Sequence, residues 1–337
     1  MDHEQLSPDH ILQLSFGFWA SKTLLTAVEL GVFSELSKAP ADLDTLQHKL
    51  GLHSRSARDF LDALLALKLL DRNDGVYSNT AQADLFLDRG KSSYIGGLLE
   101  LANEPIYELW GSLAKALKTG QRQYEAGHRG DFFSATYNDP QRLQGFLAAM
   151  SGISAGPAKL IATMFEWKSF KTFVDVGTAQ GMVPVTLARA HPHLNGVGFD
   201  LYQVKPVFES FVTQQGLSDR VRFQSGDFFK DPLPQADVLV MGHILHNWDL
   251  SEKKALLRKA FAALPKGGAL IVYDNIIDDD RRENAFGLLM SLHMLIETSG
   301  GFDYTGADCR NWMQEVGFAQ TRVMHLAGSE SMVVGLK

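Results

Sequence analysis

Two histidines three residues apart, His243 and His246, follow an apolar run over residues 236–242. Histidine is well suited to remove a proton at physiological pH, because its unperturbed pKa lies near neutrality. Two neutral imidazoles facing one cavity could also bind a metal ion together with a carboxylate, and His293 would be a further candidate ligand. A lone histidine near the end of a strand is more often structural, so the surrounding elements must decide among these interpretations.

A glycine-bearing loop is the second feature with chemical meaning. The apolar residues 173–176 break at Gly177, and a helical pattern begins beyond Gly181. Glycines let a backbone approach a ligand closely, and a helix N-terminus offers unpaired N–H groups. Asp200 ends the next apolar run, at about the distance where a nucleotide-binding unit places a carboxylate on ribose hydroxyls. Together these features predict a nucleoside cofactor without identifying it.

Two more strands extend this pattern. Residues 220–225 predict a third strand that leads into Asp227 and Phe228, which suit hydrogen bonding to an adenine and covering it. The fourth strand ends at Gly242, just before the two histidines. The alternation of strand and helix down to Lys337 predicts a parallel sheet flanked by helices.

This ordered set resembles the class I S-adenosylmethionine-dependent methyltransferases. More narrowly, residues 243–249 resemble the histidine-aspartate-tryptophan signature of small-molecule O-methyltransferases that act on caffeate, hydroxyindoles and bacterial polyketides. The resemblance covers nearly the whole chain. It implies an α/β Rossmann-like sheet with helices on both faces, plus a mainly α N-terminal winged-helix dimerisation domain. It also implies methyl transfer from S-adenosyl-L-methionine to a hydroxyl of a small aromatic secondary metabolite.

The resemblance further implies a role for each candidate residue. His246 falls on the catalytic base position, and Asp274 and Asp303 fall on the two acidic positions that flank it. Asn247 replaces the commoner aspartate, which alters the electrostatics around the base. The cofactor-binding set is expected to be Gly177, Thr178, Gly181, Asp200, Leu201, Gly226, Asp227, Phe228, Gly242 and His243. The substrate-lining set is expected to be Phe18, Trp19, Phe146, Met150, Asn247 and His293.

The N-terminal part, residues 1–90, predicts helices followed by a hairpin, which is a winged-helix pattern. Arg55, Arg58 and Lys68 are balanced by Asp59 and Asp62, so no basic face is left for phosphates and nucleic-acid binding is not expected. Apolar residues recur at helical spacing from Pro8 to Leu36 and need a partner surface, either the chain's own core or a second copy. The family resemblance favours an intertwined homodimer.

Residues 91–166 predict a helical, aromatic-rich connector lining the substrate cleft, which includes Phe132 and Phe133, and residues 167–337 form the catalytic domain. The net charge of −7 argues against binding to polyanions. Cys309 is the single cysteine, which excludes an internal disulfide and fits a reducing cytoplasm. No uninterrupted apolar run approaches the ~20 residues needed to span a bilayer, so no membrane association is expected.

Two alternatives remain open. A metal-assisted C-methyltransferase acting on an α-keto acid would use His243 and His293 as ligands, as a small related subgroup does. A non-enzymatic winged-helix regulator would keep both domains, although the intact glycine loop, Asp200 and His246 speak against it. The expected outcome is an enzyme without a bound metal whose partner is a small hydroxylated acceptor.

Overall fold

The computed structural model describes residues 6–91, 93–124 and 136–337. Phe132 and Phe133 therefore lie outside the described residues. The chain divides into two compact units, the first ending at Tyr107 and the second beginning at Glu108.

The first unit is a helical domain with a small antiparallel sheet. Its helices are α1 (Asp9–Glu29), α2 (Val32–Lys38), α3 (Leu43–Lys49), α4 (Ala57–Ala66), α5 (Ala81–Leu87) and α6 (Gly96–Leu101), followed by a π-helical turn at Ala102–Ile106. Its strands are β1 (Ala41–Asp42), β2 (Leu70–Asn73) and β3 (Val76–Asn79), in the order β1-β3-β2. This arrangement confirms the winged-helix pattern.

Two left-handed residues set the limits of these helices. Gly31, at a φ of 74°, separates α1 from α2, where the apolar periodicity alone suggests a continuous segment. Lys68, at a φ of 62°, follows the end of α4 and precedes β2. Beyond it, Asp74 and Gly75 also take positive φ angles, as a tight hairpin turn between twisted strands requires.

The two halves of α1 differ in burial. Leu25, Ala27 and Val28 are buried, and the last two pack in the core of the first unit beside Phe33 and Leu61. The N-terminal half instead exposes large apolar side chains: Ile11, Leu14, Phe16, Phe18 and Trp19 are 67%, 69%, 48%, 52% and 60% exposed. The chain's own core therefore accounts for only the second half of this helix.

The second unit is built on a mixed sheet. Within the described residues its strand order is β6-β5-β4-β7-β8-β10-β9. The strands are β4 (Thr172–Val176), β5 (Asn195–Asp200), β6 (Val221–Ser225), β7 (Val238–Gly242), β8 (Ala269–Asp274), β9 (Gln320–Ala327) and β10 (Glu330–Leu336). The helices are α7 (Tyr107–Trp110), which begins at the last residue of the first unit, α8 (Leu113–Thr119), α9 (Pro140–Met164), α10 (Met182–Ala190), α11 (Lys205–Gln214), α12 (Leu250–Ala263), α13 (Ala285–Glu297) and α14 (Gly306–Val316).

The last two strands differ in pairing direction from the parallel strands of the predicted sheet. The five strands β4 to β8 pair in parallel, whereas β10 is antiparallel to both β8 and β9. Only Gly328 and Ser329 separate β9 from β10, and a connection this short can join only antiparallel neighbours. The parallel strands all end at one edge, so the loops after β4, β5, β7 and β8 meet there.

Helix α9 lies within the predicted helical connector and is both long and apolar. Its segment Arg142–Met164 has a mean hydropathy of 1.2 and is long enough to cross a membrane by length and composition alone. Core helices of globular proteins pass the same test, and 39% of its most apolar window is buried. Ala158, Ile161 and Ala162 pack with the β4 and β7 side chains, so we interpret α9 as part of the core of the second unit.

Candidate active site

The glycine loop after β4 has the backbone geometry predicted for it. Gly177 and Gly181 have φ angles of 74° and 98°, a region that side chains with a Cβ rarely adopt. A Cβ on Gly177 would come within 2.3 Å of Ile244, and one on Gly181 within 2.8 Å of Phe208. Gly181 precedes α10 without a side-chain cap, which leaves the first N–H groups of that helix available to a ligand.

Asp200, at the end of β5, is tied to this loop. Its buried carboxylate accepts hydrogen bonds from the backbone N–H of Ala179 at 2.9 Å and of Leu201 at 2.8 Å. Burial raises the pKa of Asp200 to about 6, although these two N–H groups oppose the shift. Burial likewise raises the pKa of Asp175, inside β4, to about 7. The sequence suggests no role for Asp175, although an acid within a buried apolar strand is itself a signal.

The other expected cofactor residues lie on the adjoining loops. Asp227 accepts from the backbone N–H of Phe229 and pairs with Lys230, both at 2.9 Å, so its carboxylate is engaged within its own turn. Phe228 packs edge-to-face against Trp248 at 5.8 Å. Gly226 and Gly242 are required by packing, since an added Cβ would overlap the rings of Phe199 and Tyr273, respectively. The hydroxyl-bearing Thr178 is buried in the glycine loop.

Helix α9 approaches the same loop. The Ser151 hydroxyl donates to Oε1 of Gln180 at 3.0 Å. Phe146 packs in the cluster that includes Ala179, and its ring lies 6.3 Å from that of Tyr137. Phe146 and the neighbouring Met150 thus belong to a segment in contact with the loop. Phe18 and Trp19 belong to the first unit, where their rings lie 6.0 Å apart in an edge-to-face arrangement.

His246 lies on a short 3₁₀ turn, Leu245–Asn247, directly after β7. The Asn247 side chain closes this turn by donating to the His243 carbonyl at 2.9 Å, and Asp249 then caps α12 with a capping box. The imidazole is buried, and its Nδ1 lies 3.3 Å from Oδ1 of Asp303. The turn therefore places Nδ1 of His246 beside the Asp303 carboxylate. The other ring nitrogen, Nε2, is left to react with a substrate.

The charge around His246 favours a protonated ring in the free protein. Burial alone would lower the pKa of the imidazole, because it disfavours the charged form. The negative charges of Asp274 and Asp303 outweigh this effect and raise the pKa of His246 to about 9. Both predicted acids thus act on His246 electrostatically, although only Asp303 stands directly beside it.

Asp274, at the end of β8, is fully buried and faces two other partners. The Tyr304 hydroxyl donates a short hydrogen bond to Oδ2, while Oδ1 lies 3.7 Å from Nδ1 of His243. Burial raises the pKa of Asp274, although the charges of His246 and His243 oppose the shift. His243 also lies near a residue that no local pattern singles out: its Nε2 is 3.4 Å from Oε1 of Glu330, at the start of β10.

His293 does not join a group of three or more potential metal ligands with His243 among the described residues. Among the described residues, the potential metal-binding group is His243, His246 and Asp274, whose donor atoms lie within 4.8 Å of one another. His293 is not part of this group. Its Nε2 pairs with Oε2 of Glu297 at 2.9 Å, and its ring is nearly parallel to that of Trp110 at a centroid distance of 6.5 Å.

Comparison with known proteins gives a consistent result. Residues 110–319 match the family model of the O-methyltransferase domain, and residues 12–89 match the O-methyltransferase dimerisation domain. The tetracenomycin polyketide synthesis 8-O-methyl transferase TcmO of Streptomyces glaucescens is 43% identical over 98% of this chain and 97% of its own length. The N,N-dimethyltransferase OxyT of Streptomyces rimosus is 38% identical over 80% of this chain and 78% of its own. Among solved structures, human N-acetylserotonin methyltransferase in complex with S-adenosylmethionine aligns with a TM-score of 0.92 at 25% identity, over 100% of this chain and 99% of that one.

Proposed function

The chain belongs to the S-adenosylmethionine-dependent O-methyltransferase family of secondary metabolism, and from this premise we propose that His246 is the general base that activates the acceptor hydroxyl. The observation that carries the proposal is the 3.3 Å approach of Asp303 to Nδ1 of His246. A carboxylate on Nδ1 favours the tautomer with its proton there, so Nε2 has the free electron pair. The acceptor hydroxyl then loses its proton to Nε2 as its oxygen becomes the nucleophile.

The residues around the glycine loop suit the adenosyl cofactor. Asp200 has acceptor capacity for ribose hydroxyls, since each carboxylate oxygen offers more than the one site its backbone bond uses. The uncapped start of α10 offers N–H donors beside the positive φ angles of Gly177 and Gly181. The bound cofactor supplies an electrophilic methyl group, while the residues of the chain orient it, exclude water and accept the acceptor's proton.

We propose a planar phenol of aromatic-polyketide type as the acceptor. The relative TcmO is, by its name, an 8-O-methyl transferase of tetracenomycin polyketide synthesis, and the chain aligns with it over nearly its full length. The nearly parallel rings of Trp110 and His293 add flat surfaces to the catalytic unit that suit a planar ligand. The metal-assisted C-methyltransferase is not favoured, because His293 is engaged by Glu297.

We propose that the molecule acts as a homodimer in the cytoplasm. The exposed apolar half of α1 lies largely within the residues that match the dimerisation domain, and a second copy would cover it. We also propose that the chain divides into a dimerisation domain over residues 1–90, a connector over residues 91–166 and a catalytic domain over residues 167–337. The single cysteine, Cys309, is buried and fits a reducing compartment.

The test of the catalytic role is a methylation assay with isotope-labelled cofactor. A panel of polycyclic phenols, with matching amines and α-keto acids, is screened by mass spectrometry, and the best phenol is then used to compare variants. His246→Ala should lower kcat by ~10²–10⁴-fold while the affinity for S-adenosylhomocysteine barely changes. Near-normal turnover in this variant would rule out His246 as the base. Activity that disappears on chelation and in both His243→Ala and His293→Ala would instead establish the metal-assisted reaction.

A further inference from the structure

His293 is a second buried histidine that has a carboxylate beside one of its ring nitrogens. The residue is 7% exposed, and its Nε2 lies 2.9 Å from Oε2 of Glu297, one turn later in α13. Its Nδ1 is buried and has no hydrogen-bond partner among the described residues. A buried polar atom without a partner is unfavourable, and native structures keep few of them. A bound ligand could supply the missing partner.

The end of α13 that carries this pair is joined to the turn of the proposed base. The helix contacts the Leu245–Asn247 turn. Gly301 packs so closely on this turn that an added Cβ would come within 2.6 Å of the His246 carbonyl oxygen. Only four residues separate Gly301 from Glu297, and four residues span at most about 14 Å even when fully extended. The pair therefore lies at the catalytic end of the second unit.

The two buried histidines face their acids with opposite ring nitrogens. The Asp303 carboxylate lies beside Nδ1 of His246, whereas the Glu297 carboxylate lies beside Nε2 of His293. A carboxylate favours the tautomer that has its proton on the adjacent nitrogen. The free electron pair is therefore on Nε2 in His246 and on Nδ1 in His293. Nδ1 of His293 is thus a buried hydrogen-bond acceptor, which suits a hydroxyl donor of a ligand.

The neighbouring tryptophan indicates how such a ligand would lie. The Trp110 ring is within 6° of parallel to the His293 imidazole, with the ring centroids 6.5 Å apart. The electron pair of Nδ1 lies in the plane of the imidazole, so a donor must approach the edge of this ring. A planar aromatic ring that packs on the face of Trp110 can lie parallel to that plane and direct a hydroxyl towards Nδ1.

We propose that His293 is a specificity-determining residue that accepts a hydrogen bond from a second hydroxyl of the acceptor, and that Glu297 is the positioning residue that fixes its tautomer. The acceptor is then a planar aromatic compound with at least two hydroxyls. One hydroxyl is methylated beside His246, and another binds at Nδ1 of His293. The inference rests on the proposed phenol acceptor, but it is tested by binding and does not require turnover.

The test is calorimetry of ligand binding to the full-length protein saturated with S-adenosylhomocysteine. The dihydroxynaphthalene isomers are compared with 1-naphthol and 2-naphthol, which lack the second hydroxyl. The best dihydroxynaphthalene should bind about tenfold more tightly than the better naphthol, which is the effect of one buried hydrogen bond. His293→Phe keeps a flat ring without an acceptor, and should bring this ratio close to one. His325→Phe, the same change at an exposed position of β9, should retain it.

Two variants of Glu297 test the positioning role. In Glu297→Gln the amide oxygen can still accept from Nε2–H of His293, so most of the preference for the second hydroxyl should remain. Glu297→Leu offers no acceptor, so the proton is no longer held on Nε2 and the preference should be lost although His293 is present. With a dihydroxynaphthalene that is turned over, His293→Phe should raise KM more than it lowers kcat, the reverse of the effect expected for His246→Ala.

Equal affinity for the naphthols and every dihydroxynaphthalene, or a preference that persists in folded His293→Phe, would overturn the proposal. Binding of 1,4-naphthoquinone that is tighter than that of either naphthol and is lost in His293→Phe would show that Nδ1 donates to a carbonyl, and would reject the acceptor role. If His293→Phe does not fold, His293→Leu takes its place, and misfolding of both would show a structural role instead.

The outcome is independent of the assignment of the base. A preference for the second hydroxyl that depends on His293, together with near-normal turnover of His246→Ala, would reject His246 as the base and leave the role of His293 established. Loss of turnover in His246→Ala without any such preference would reject the role of His293 alone.

Discussion

The Asp303 carboxylate lies 3.3 Å from Nδ1 of His246, whereas Asp274 makes its closest imidazole approach to His243, at 3.7 Å. The two acids expected to flank the base are therefore unequal. Asp303 can orient the His246 ring directly. Asp274 acts on His246 through its charge, while its Oδ2 accepts a hydrogen bond from the Tyr304 hydroxyl.

This difference predicts unequal effects of two isosteric substitutions. Asp303→Asn should lower kcat by ~10²–10⁴-fold, because the amide no longer selects the tautomer in which Nε2 accepts a proton. Asp274→Asn should cause a roughly tenfold smaller loss of the limiting kcat reached at high pH. It weakens the stabilisation of the protonated imidazole that forms during the reaction, but it leaves the approach of Asp303 to His246 in place. Steady-state kinetics of the two variants measure this contrast, with S-adenosylhomocysteine affinity as the control for folding. Equal losses would show that Asp303 has no special orienting role.

The pH dependence of kcat/KM follows from the raised pKa of His246. Only the neutral imidazole accepts a proton, and its pKa in the free enzyme is about 9. Activity should therefore rise about tenfold per pH unit through neutrality and level off only above about pH 9. This rise of kcat/KM with pH should be absent from the residual activity of His246→Ala. Its absence would show that the rise comes from His246 and not from ionisation of the phenol. A profile that is flat through neutral pH would show that His246 is not the titrating group.

Cofactor affinity should depend on the ionised state of Asp200. Its raised pKa of about 6 means that the carboxylate gains a proton as the pH falls below that value. The neutral carboxyl group has lost its charge and one of its oxygens has become a donor, so it accepts hydrogen bonds from hydroxyls more weakly. Calorimetry with S-adenosylhomocysteine should show affinity falling below about pH 6, and Asp200→Ala should weaken binding by roughly 1.5–3 kcal/mol. Asp219→Asn, at an exposed position of the same unit, is the control. Unchanged affinity in Asp200→Ala would exclude Asp200 from the cofactor site.

Two changes in α1 should have different outcomes. Deleting residues 1–30 removes Leu25, Ala27 and Val28 from the core and should yield aggregated or unfolded protein. Leu14→Asp changes an exposed apolar side chain only, and should give folded monomers in sedimentation at micromolar concentration. Gln13→Asp, one residue away and also exposed, should leave the dimer intact. A wild-type chain that sediments as a monomer would contradict the proposed homodimer.

Features encoded by local pattern are those that the sequence predicts well. The positive φ angles of Gly177 and Gly181, the acid at the end of β5 and the helix closed by Gly317 all depend on residues a few positions apart. Each motif directly follows a strand, so the order of the motifs along the chain is enough to indicate the family.

Features created by long-range packing could not be predicted in this way. Glu330 reaches His243 only because β10 inserts beside β8, and nothing near Glu330 in the sequence encodes that pairing. Lys253 looks like an ordinary solvent-facing helix lysine between Glu252 and Lys254, yet it is buried. The antiparallel direction of β10 was likewise hidden, although the two-residue connection at Gly328 and Ser329 contained the signal.

The position of β10 also governs the order in which the protein can mature. This strand follows β9 in the sequence but lies between β8 and β9 in the sheet, so β9 joins the sheet only through β10. The first unit has its own core and can fold while the rest is being synthesised. Glu330 comes within reach of His243 only when β10 has paired with β8, so this part of the site is completed late in the assembly of the second unit.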